Sequence, residues 1–248
     1  MIELNYIDET IERNENPALR IGSVGRSALS TVYLMDCIEG MKQFPDKIFD
    51  LAVVDPPYGI DWMQQIQNPN TKANWKQYEN KEWDKQTPTD EYWKQLFRVS
   101  KNQIVWGGNY MTENLKPSPC WLIWDKMQEF SGAVFEMAWT SFTSPAKAFR
   151  MSRVEAYANK GKIHPTQKPT RLYEWIFDKY ASEGDLILDT HLGSQSSRIA
   201  ANKAGLDFVG FEIDREYFDN GNLRQHPAAG PEIPPSGLNC LNLLKYGP

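Results

Sequence analysis

The chain has 248 residues, 41% of them hydrophobic, 12% aromatic and 24% charged, with a formal net charge of −5. This is a globular composition, long enough for one large α/β domain, and the negative balance argues against a protein held to nucleic acid by bulk charge. The longest apolar run, Cys120 to Trp124, is five residues, too short to span a bilayer. The acidic segment Met1 to Glu15 has no apolar core of the signal-peptide kind, so the expectation is a cytoplasmic protein without membrane contact. Cys37, Cys120 and Cys240 lie far apart with no CxxC spacing, which predicts neither a disulfide framework nor a metal site.

In chain order, Met1 to Ser30 shows weak periodicity and reads as an N-terminal extension. Val32 to Met35 and Asp50 to Val54 read as short buried strands, with a helical turn around Ile38 to Gln43 between them. Residues 61–87 form a long polar stretch carrying Trp62, Trp75, Tyr78 and Trp83. Loops of that length are functional or mobile, and stacking on nucleic acid and packing both remain open for its indoles. A helix is predicted from Asp90 to Val99, capped by Thr89 or Asp90. Strands follow at Gln103 to Trp106, Trp121 to Trp124 and Val134 to Phe142, placing Trp106, Trp121, Trp124 and Trp139 in the core.

Pro169 opens a helix that ends near Ser182, before Gly184. Leu186 to Leu188 reads as a strand, Ser194 to Ala204 as a helix stopped by Gly205, and Phe208 to Phe211 as another strand. Residues 1–225 are expected to be a single domain, and the Pro/Gly-rich residues 226–248 a tail. Strands alternating with helices predict a mostly parallel sheet covered on both faces, with ligands at the carboxyl ends of its strands. Charge is uneven: between Ser144 and Arg171 stand Lys147, Arg150, Arg153, Lys160, Lys162, Lys168 and Arg171 against the single acid Glu155.

Two strand ends carry candidate chemistry. In Asp50-Leu-Ala-Val-Val-Asp55-Pro56-Pro57-Tyr58-Gly59, a buried strand runs into an acid, two prolines, a tyrosine and a glycine. The prolines lock φ and remove two N–H donors, leaving a rigid turn with carbonyls outward. Asp55 and the Pro56 carbonyl would then be two acceptors side by side near the Tyr58 ring. A flat group bearing an NH2 can donate both hydrogens to such a pair and stack on the ring. The second is Leu186-Ile-Leu-Asp189-Thr-His-Leu-Gly193-Ser194-Gln195-Ser196-Ser197, with a later strand ending in Glu212, 23 residues after Asp189. An acid, a Gly/Ser turn and a second-strand acid follow the βαβ logic of nucleoside binding, the second acid accepting ribose hydroxyls.

These segments resemble the S-adenosylmethionine-dependent DNA amino-methyltransferases. Asp55-Pro-Pro-Tyr58 matches their DPPY motif, Ile163-His-Pro-Thr-Gln-Lys-Pro169 is similar to the segment before their methionine-binding strand, and Asp189 to Ser197 is similar to their cofactor loop. The order, catalytic motif first and cofactor loop last, is that of the circularly permuted β group. Val105-Trp-Gly-Gly-Asn-Tyr110, Trp124-Asp-Lys126 and Phe135-Glu-Met-Ala-Trp-Thr-Ser141 resemble a phage-type adenine subset.

The resemblance implies a Rossmann-like methyltransferase fold with a mixed, mostly parallel seven-stranded sheet, and methyl transfer from S-adenosylmethionine to N6 of a flipped adenine in DNA. By it Asp55, Pro56, Pro57 and Tyr58 would be catalytic. Asp36, Thr166, Lys168, Asp189, Gly193, Ser194, Ser196 and Glu212 would hold the cofactor, with Thr166 and Lys168 at the methionine carboxylate. Trp62, Lys147, Arg150 and Arg153, from the polar loop and a basic loop at 143–163, would meet DNA. His164 and His191 are expected to be structural. A partner nuclease and a homodimer stay open. One departure stands out: Gln195 occupies the place of the family's second loop glycine. A positive φ there costs about 1–2 kcal/mol for a non-glycine residue, and the side chain is expected to intrude on the cofactor. The alternatives are therefore an N4-cytosine enzyme and a catalytically impaired DNA-binding relative.

Overall fold

The computed structural model of the protein describes residues 4–5, 28–60, 84–128, 133–157, 163–164, 166–225 and 236–237. Trp62, Trp75, Tyr78, Trp83, Lys160, Lys162 and most of the expected tail lie outside the described residues. The strands are β1 (Leu4–Asn5), β2 (Ser30–Leu34), β3 (Phe49–Val54), β4 (Ser100–Trp106), β5 (Trp121–Asp125), β6 (Phe135–Thr140), β7 (Lys147–Arg150), β8 (Leu186–Asp189), β9 (Asp207–Glu212) and β10 (Ser236–Gly237). The helices are α1 (Cys37–Met41), α2 (Asp90–Val99), α3 (Arg153–Tyr157), α4 (Thr170–Tyr180), α5 (Ser196–Lys203) and α6 (Arg215–Gln225).

The main sheet has eight strands in the order β2-β9-β8-β3-β4-β6-β5-β7, and β1 pairs separately with β10. β6 runs antiparallel to both β4 and β5, while the other pairings are parallel. The carboxyl ends of the seven co-directional strands therefore share one edge with the start of β6. Consecutive β3 side chains divide between two cores, as a strand requires. Leu51 and Val53 join Ile104, Trp106, Leu122, Leu172 and Ile176 on the α4–α5 face, while Ala52 and Val54 join Met41, Tyr92, Leu96 and Phe211 on the α1–α2 face.

The expected seven strands become eight because Lys147 to Arg150, read as part of a basic loop, pairs with the edge of β5. The hydrogen bonds that edge offers outweigh a sequence that is half charged. The predicted start of the α5 helix at Ser194 moves to Ser196 because Gln195 takes a left-handed conformation, φ 57° and ψ 28°, as its cap. Trp106, Trp124 and Trp139 are buried as predicted.

Arg98, in the last turn of α2, fastens the segment leading into β3. Its guanidinium donates to the carbonyls of Met41 and Phe44 and to Asp46, each at 2.8 Å, while the Lys47 N–H donates back to the Arg98 carbonyl at 2.9 Å. We expect Arg98→Met to lose about 2–4 kcal/mol of stability, because two part-buried carbonyls lose charged donors. Urea denaturation measures it.

Candidate active site

The turn after β3 is held by residues from three other parts of the chain. The Asp84 carboxylate accepts from the backbone N–H of Tyr58 at 2.7 Å and of Gly59 at 3.2 Å. The Tyr58 hydroxyl donates to Asp55 Oδ1 at 2.7 Å. The Tyr58 ring stacks on Tyr110, centroids 5.3 Å apart and planes 17° from parallel, and Tyr110 is half exposed. Gly107 sits so close that a Cβ there would come within 2.1 Å of the Tyr58 ring, and its φ of +68° is one that side chains resist. The Trp-Gly-Gly segment is thus the shelf on which the tyrosine lies.

Lys168 is the centre of the site. Its ammonium donates to Asp55 Oδ2 at 2.5 Å and to the Tyr58 hydroxyl at 3.2 Å, and it pairs with Glu136 Oε2 at 3.3 Å. Glu136 Oε1 in turn meets Lys126 Nζ at 2.8 Å. The result is an alternating chain, Lys126–Glu136–Lys168–Asp55, built from the residue after β5, from β6, from the approach to α4 and from the residue after β3. Burial works against the Lys168 ammonium, but Asp55 and Glu136 outweigh it and hold the pKa above its usual value. Burial likewise works against the Glu136 carboxylate, yet Lys168 and Lys126 bring it down to about 2. Burial pushes Asp55 upward, against the pull of Lys168. The Tyr58 phenol is pushed far up by burial and by Asp55, so it remains a donor.

Beside β3 lies β8, whose Gly/Ser turn opens on the same edge. Glu212, at the end of β9, accepts from Gly193 N–H at 2.8 Å and from Asp214 N–H at 2.9 Å. Asp36, exposed at the end of the segment after β2, caps α1 by accepting at Oδ1 from Ile38 and Glu39 N–H. The Ser196 hydroxyl donates to the Lys168 main-chain carbonyl at 2.7 Å, so the lysine's carbonyl meets the Gly/Ser turn while its ammonium meets Asp55. Thr166 Oγ1 lies 3.1 Å from His164 Nδ1, and the His164 ring packs against Tyr217 and alongside Gly193. Residues 163–164 and 166–168 therefore bridge the two strand ends, and the ammonium of Lys168, the lysine expected at the cofactor's methionine end, faces Asp55.

Gln195 has the positive φ expected, but its side chain turns away from the turn's outer surface. Fully buried, it donates to the Phe218 carbonyl at 3.2 Å and to Asn222 at 3.1 Å, and accepts from Arg198 at 2.9 Å. It lies against Gly221 of α6, where a Cβ would be only 2.5 Å from it. The expected intrusion is corrected: Gln195 is a clamp between α5 and α6. Gln195→Gly should relieve about 1 kcal/mol of backbone strain yet cost more in lost bonds and void, a net loss of about 1–3 kcal/mol on thermal or urea unfolding.

Of the expected basic contacts, Arg150 is exposed at the carboxyl end of β7, beside Asp125 at 3.3 Å, and Arg153 opens α3 just beyond. Both lie at the edge that carries Asp55. Lys147 begins β7, at the far end, with its ammonium 5.8 Å from the Tyr180 ring centre. Trp62 lies outside the described residues. Among the described residues no group of three His, Cys, Asp or Glu is placed to hold a metal, and no helix is long and apolar enough to cross a membrane. Asp84, Lys126, Glu136, Gly107 and Tyr110 were not singled out from the sequence as site residues. Four of them fall in motifs quoted for the resemblance, whose strand register alone brings them to this edge.

The fold and the adjoining strand ends define a Rossmann-like methyltransferase architecture. Two solved structures share it: the M1.HpyAVI–SAM complex, at TM-score 0.52 and 17% identity over 80% of this chain and 100% of that one, and the PvuII DNA methyltransferase (cytosine-N4-specific), at TM-score 0.57 and 16% identity over 88% and 91%. Residues 114–222 match the model of the DNA methylase family N6_N4_Mtase. The Type II methyltransferase M2.DpnII of Streptococcus pneumoniae is 31% identical over 136 residues, 54% of this chain and 46% of that protein. M2.LlaDCHI of Lactococcus lactis subsp. cremoris is 28% identical over 148 residues, 59% and 50% respectively. The chain thus spans about half the length of the curated relatives it matches.

Burial shifts two groups near the Gly/Ser turn in opposite directions. Burial pushes Asp189 up to about 7, opposed by the Ser197 hydroxyl, and burial pulls His191 down to about 4. With an unfolded value of about 3.9, Asp189 takes up protons on folding between the two values, so its contribution to stability falls as pH rises from about 4 to about 7. His191 sheds protons on folding, so its contribution rises from about 4 to about 6.5. Relative to the wild type, His191→Phe should lose stability more steeply with rising pH, and Asp189→Asn should gain it. Denaturant titrations at several pH values across that range test both signs.

Proposed function

We propose that this chain is an S-adenosylmethionine-dependent DNA amino-methyltransferase of the permuted β group, acting on the exocyclic N6 of adenine. The observation that carries the reading is the pairing of β3 with β8, which places the Asp55-Pro56-Pro57-Tyr58 turn beside the Gly/Ser turn on one sheet edge. The family match over residues 114–222 supports it, as do the Type II methyltransferase relatives.

The residues present suit the cofactor. Gly193, at φ +48°, gives the turn a left-handed corner that a side chain would strain, with the His164 ring against it. Glu212 spends one acceptor site per oxygen on backbone N–H groups, and a carboxylate has about four such sites, so it retains capacity for ribose hydroxyls. Asp36, Asp189, Ser194 and Ser196 stand along the same row of strand ends. Bound there, the cofactor would supply a methyl group on a positively charged sulfur. The protein's part is alignment. Asp55 and the Pro56 carbonyl would accept the two amine hydrogens, which draws the nitrogen away from planarity and directs its lone pair at the sulfonium methyl, and the Tyr58–Tyr110 pair offers aromatic surface to a base brought out of the duplex. An aspartate at position 55 favours adenine over cytosine, since the N4-cytosine group usually carries serine there.

The test is methyl transfer to DNA followed by mass spectrometry of the nucleosides. N6-methyladenine is the expected product, and N4-methylcytosine would establish the alternative. Asp55→Ala should lower turnover by about 100-fold or more, about 2.7–4 kcal/mol, while calorimetry shows binding of the uncharged S-adenosylhomocysteine retained.

DNA binding is expected to weaken with salt through Arg150 and Arg153, which lie at the edge of the sheet that carries the site. Replacing both by Ala should flatten the slope of log affinity against log salt by about two units, close to one per phosphate contact. Adding Lys147→Ala should change it no further.

A further inference from the structure

The alternating charges Lys126–Glu136–Lys168–Asp55 contain more than an acceptor for an amine requires. Asp55 and Lys168 already make a neutral pair. Glu136 and Lys126 form a second pair attached to it, with side chains 26% and 10% exposed. Glu136 lies opposite Trp124 in the β5–β6 register, at the end of the sheet that carries the site. Its two oxygens are divided between two ammonium groups, 2.8 Å from Lys126 and 3.3 Å from Lys168.

We infer that Glu136, held by Lys126, sets the charge of the site so that a cationic sulfonium donor is accepted beside the Lys168 ammonium. This rests on the methyltransferase reading above. A buried lysine next to the reacting centre repels an incoming positive sulfur, and charges act over longer range here than in water because the surroundings are less polarisable. With Glu136 ionised the four side chains sum to zero. Without it the same cluster carries one excess positive charge. Glu136 stays ionised over the whole usable pH range, since its two lysines bring its pKa down to about 2 against the effect of burial. Trp106, whose ring centre lies 5.2 Å from the Lys168 ammonium, and Trp124, 5.5 Å from that of Lys126, contribute π-faces that accommodate the two cations without adding net charge.

The reaction supplies its own electrometer. S-adenosylmethionine carries a positive sulfur and S-adenosylhomocysteine a neutral one, and they are otherwise alike except for the methyl group. The ratio of their dissociation constants therefore reports the charge at the sulfur, while a defect in folding or shape weakens both alike. Glu136→Gln keeps the size and an acceptor oxygen and removes only the charge. It should weaken S-adenosylmethionine relative to S-adenosylhomocysteine by about tenfold, equivalent to about 1.4 kcal/mol. Lys126→Met, which leaves an excess negative charge, should move the ratio the other way. The double variant, neutral again, should return it toward the wild-type ratio, and replacing a buried ion pair by uncharged groups is commonly tolerated by the fold, so this variant also serves if a single one does not fold.

Calorimetric titration of the four proteins with the two ligands decides the matter. A ratio that stays at its wild-type value in the variants, or that fails to return in the double variant, overturns the inference and leaves Glu136 a packing residue. Failure of the wild type to bind either ligand overturns the methyltransferase reading itself, a result separable from the first.

Discussion

A lysine ammonium with almost no exposure is the constraint around which this site is arranged. Lys168 stays charged only while carboxylates face it, and those carboxylates come from the turn after β3 and from β6, two strands separated by β4 in the sheet. Its backbone carbonyl is tied to Ser196 at the start of α5. One residue therefore joins the acceptor turn, the far half of the sheet and the Gly/Ser turn. Displacing any of the three leaves a buried charge or a buried acceptor unpaired, which costs far more than the pairing itself contributes.

The sheet makes this arrangement attainable. Parallel pairing of β3 with both β8 and β4 lines up their carboxyl ends, and the antiparallel insertion of β6 brings the beginning of that strand to the same edge. Glu136 thus arrives at the site from the opposite chain direction to Asp55. The two hydrophobic cores fix the sheet's faces, so side chains at the strand ends have no freedom to rotate to the other side. Arg98 and Asp84 act in the same sense at shorter range, one fastening the chain as it enters β3 and the other as it leaves.

Gln195 shows how a departure from a motif is misread without its surroundings. Its positive φ is a local property that the neighbouring pattern announces. The direction of its side chain depends on Gly221, 26 residues further on, which leaves room for it between α5 and α6. Likewise Lys147 and Arg150 read as loop because charge dominates so short a segment, whereas the open edge of β5 pairs with them as β7. Where the signal was periodic and long, as in α2 and α4, the predicted bounds fall within two residues of those observed.

What the sequence by itself determined were the chemistry-bearing turns: Asp55 to Tyr58 after a buried apolar run, Asp189 to Ser197 after another, and the helices whose apolar spacing places them on the sheet. These are local, because a proline fixes its own φ and an apolar stripe follows from residues three and four apart. The tertiary structure alone decided which charges meet. Lys168 is 113 residues from Asp55 in the chain, and nothing in either segment says that the ammonium turns to the acceptor pair rather than to the Gly/Ser turn, or that Glu136 and Lys126 complete the row. That choice is made by strand order and register, which bring distant residues within ion-pair distance in surroundings where an unpaired charge cannot persist.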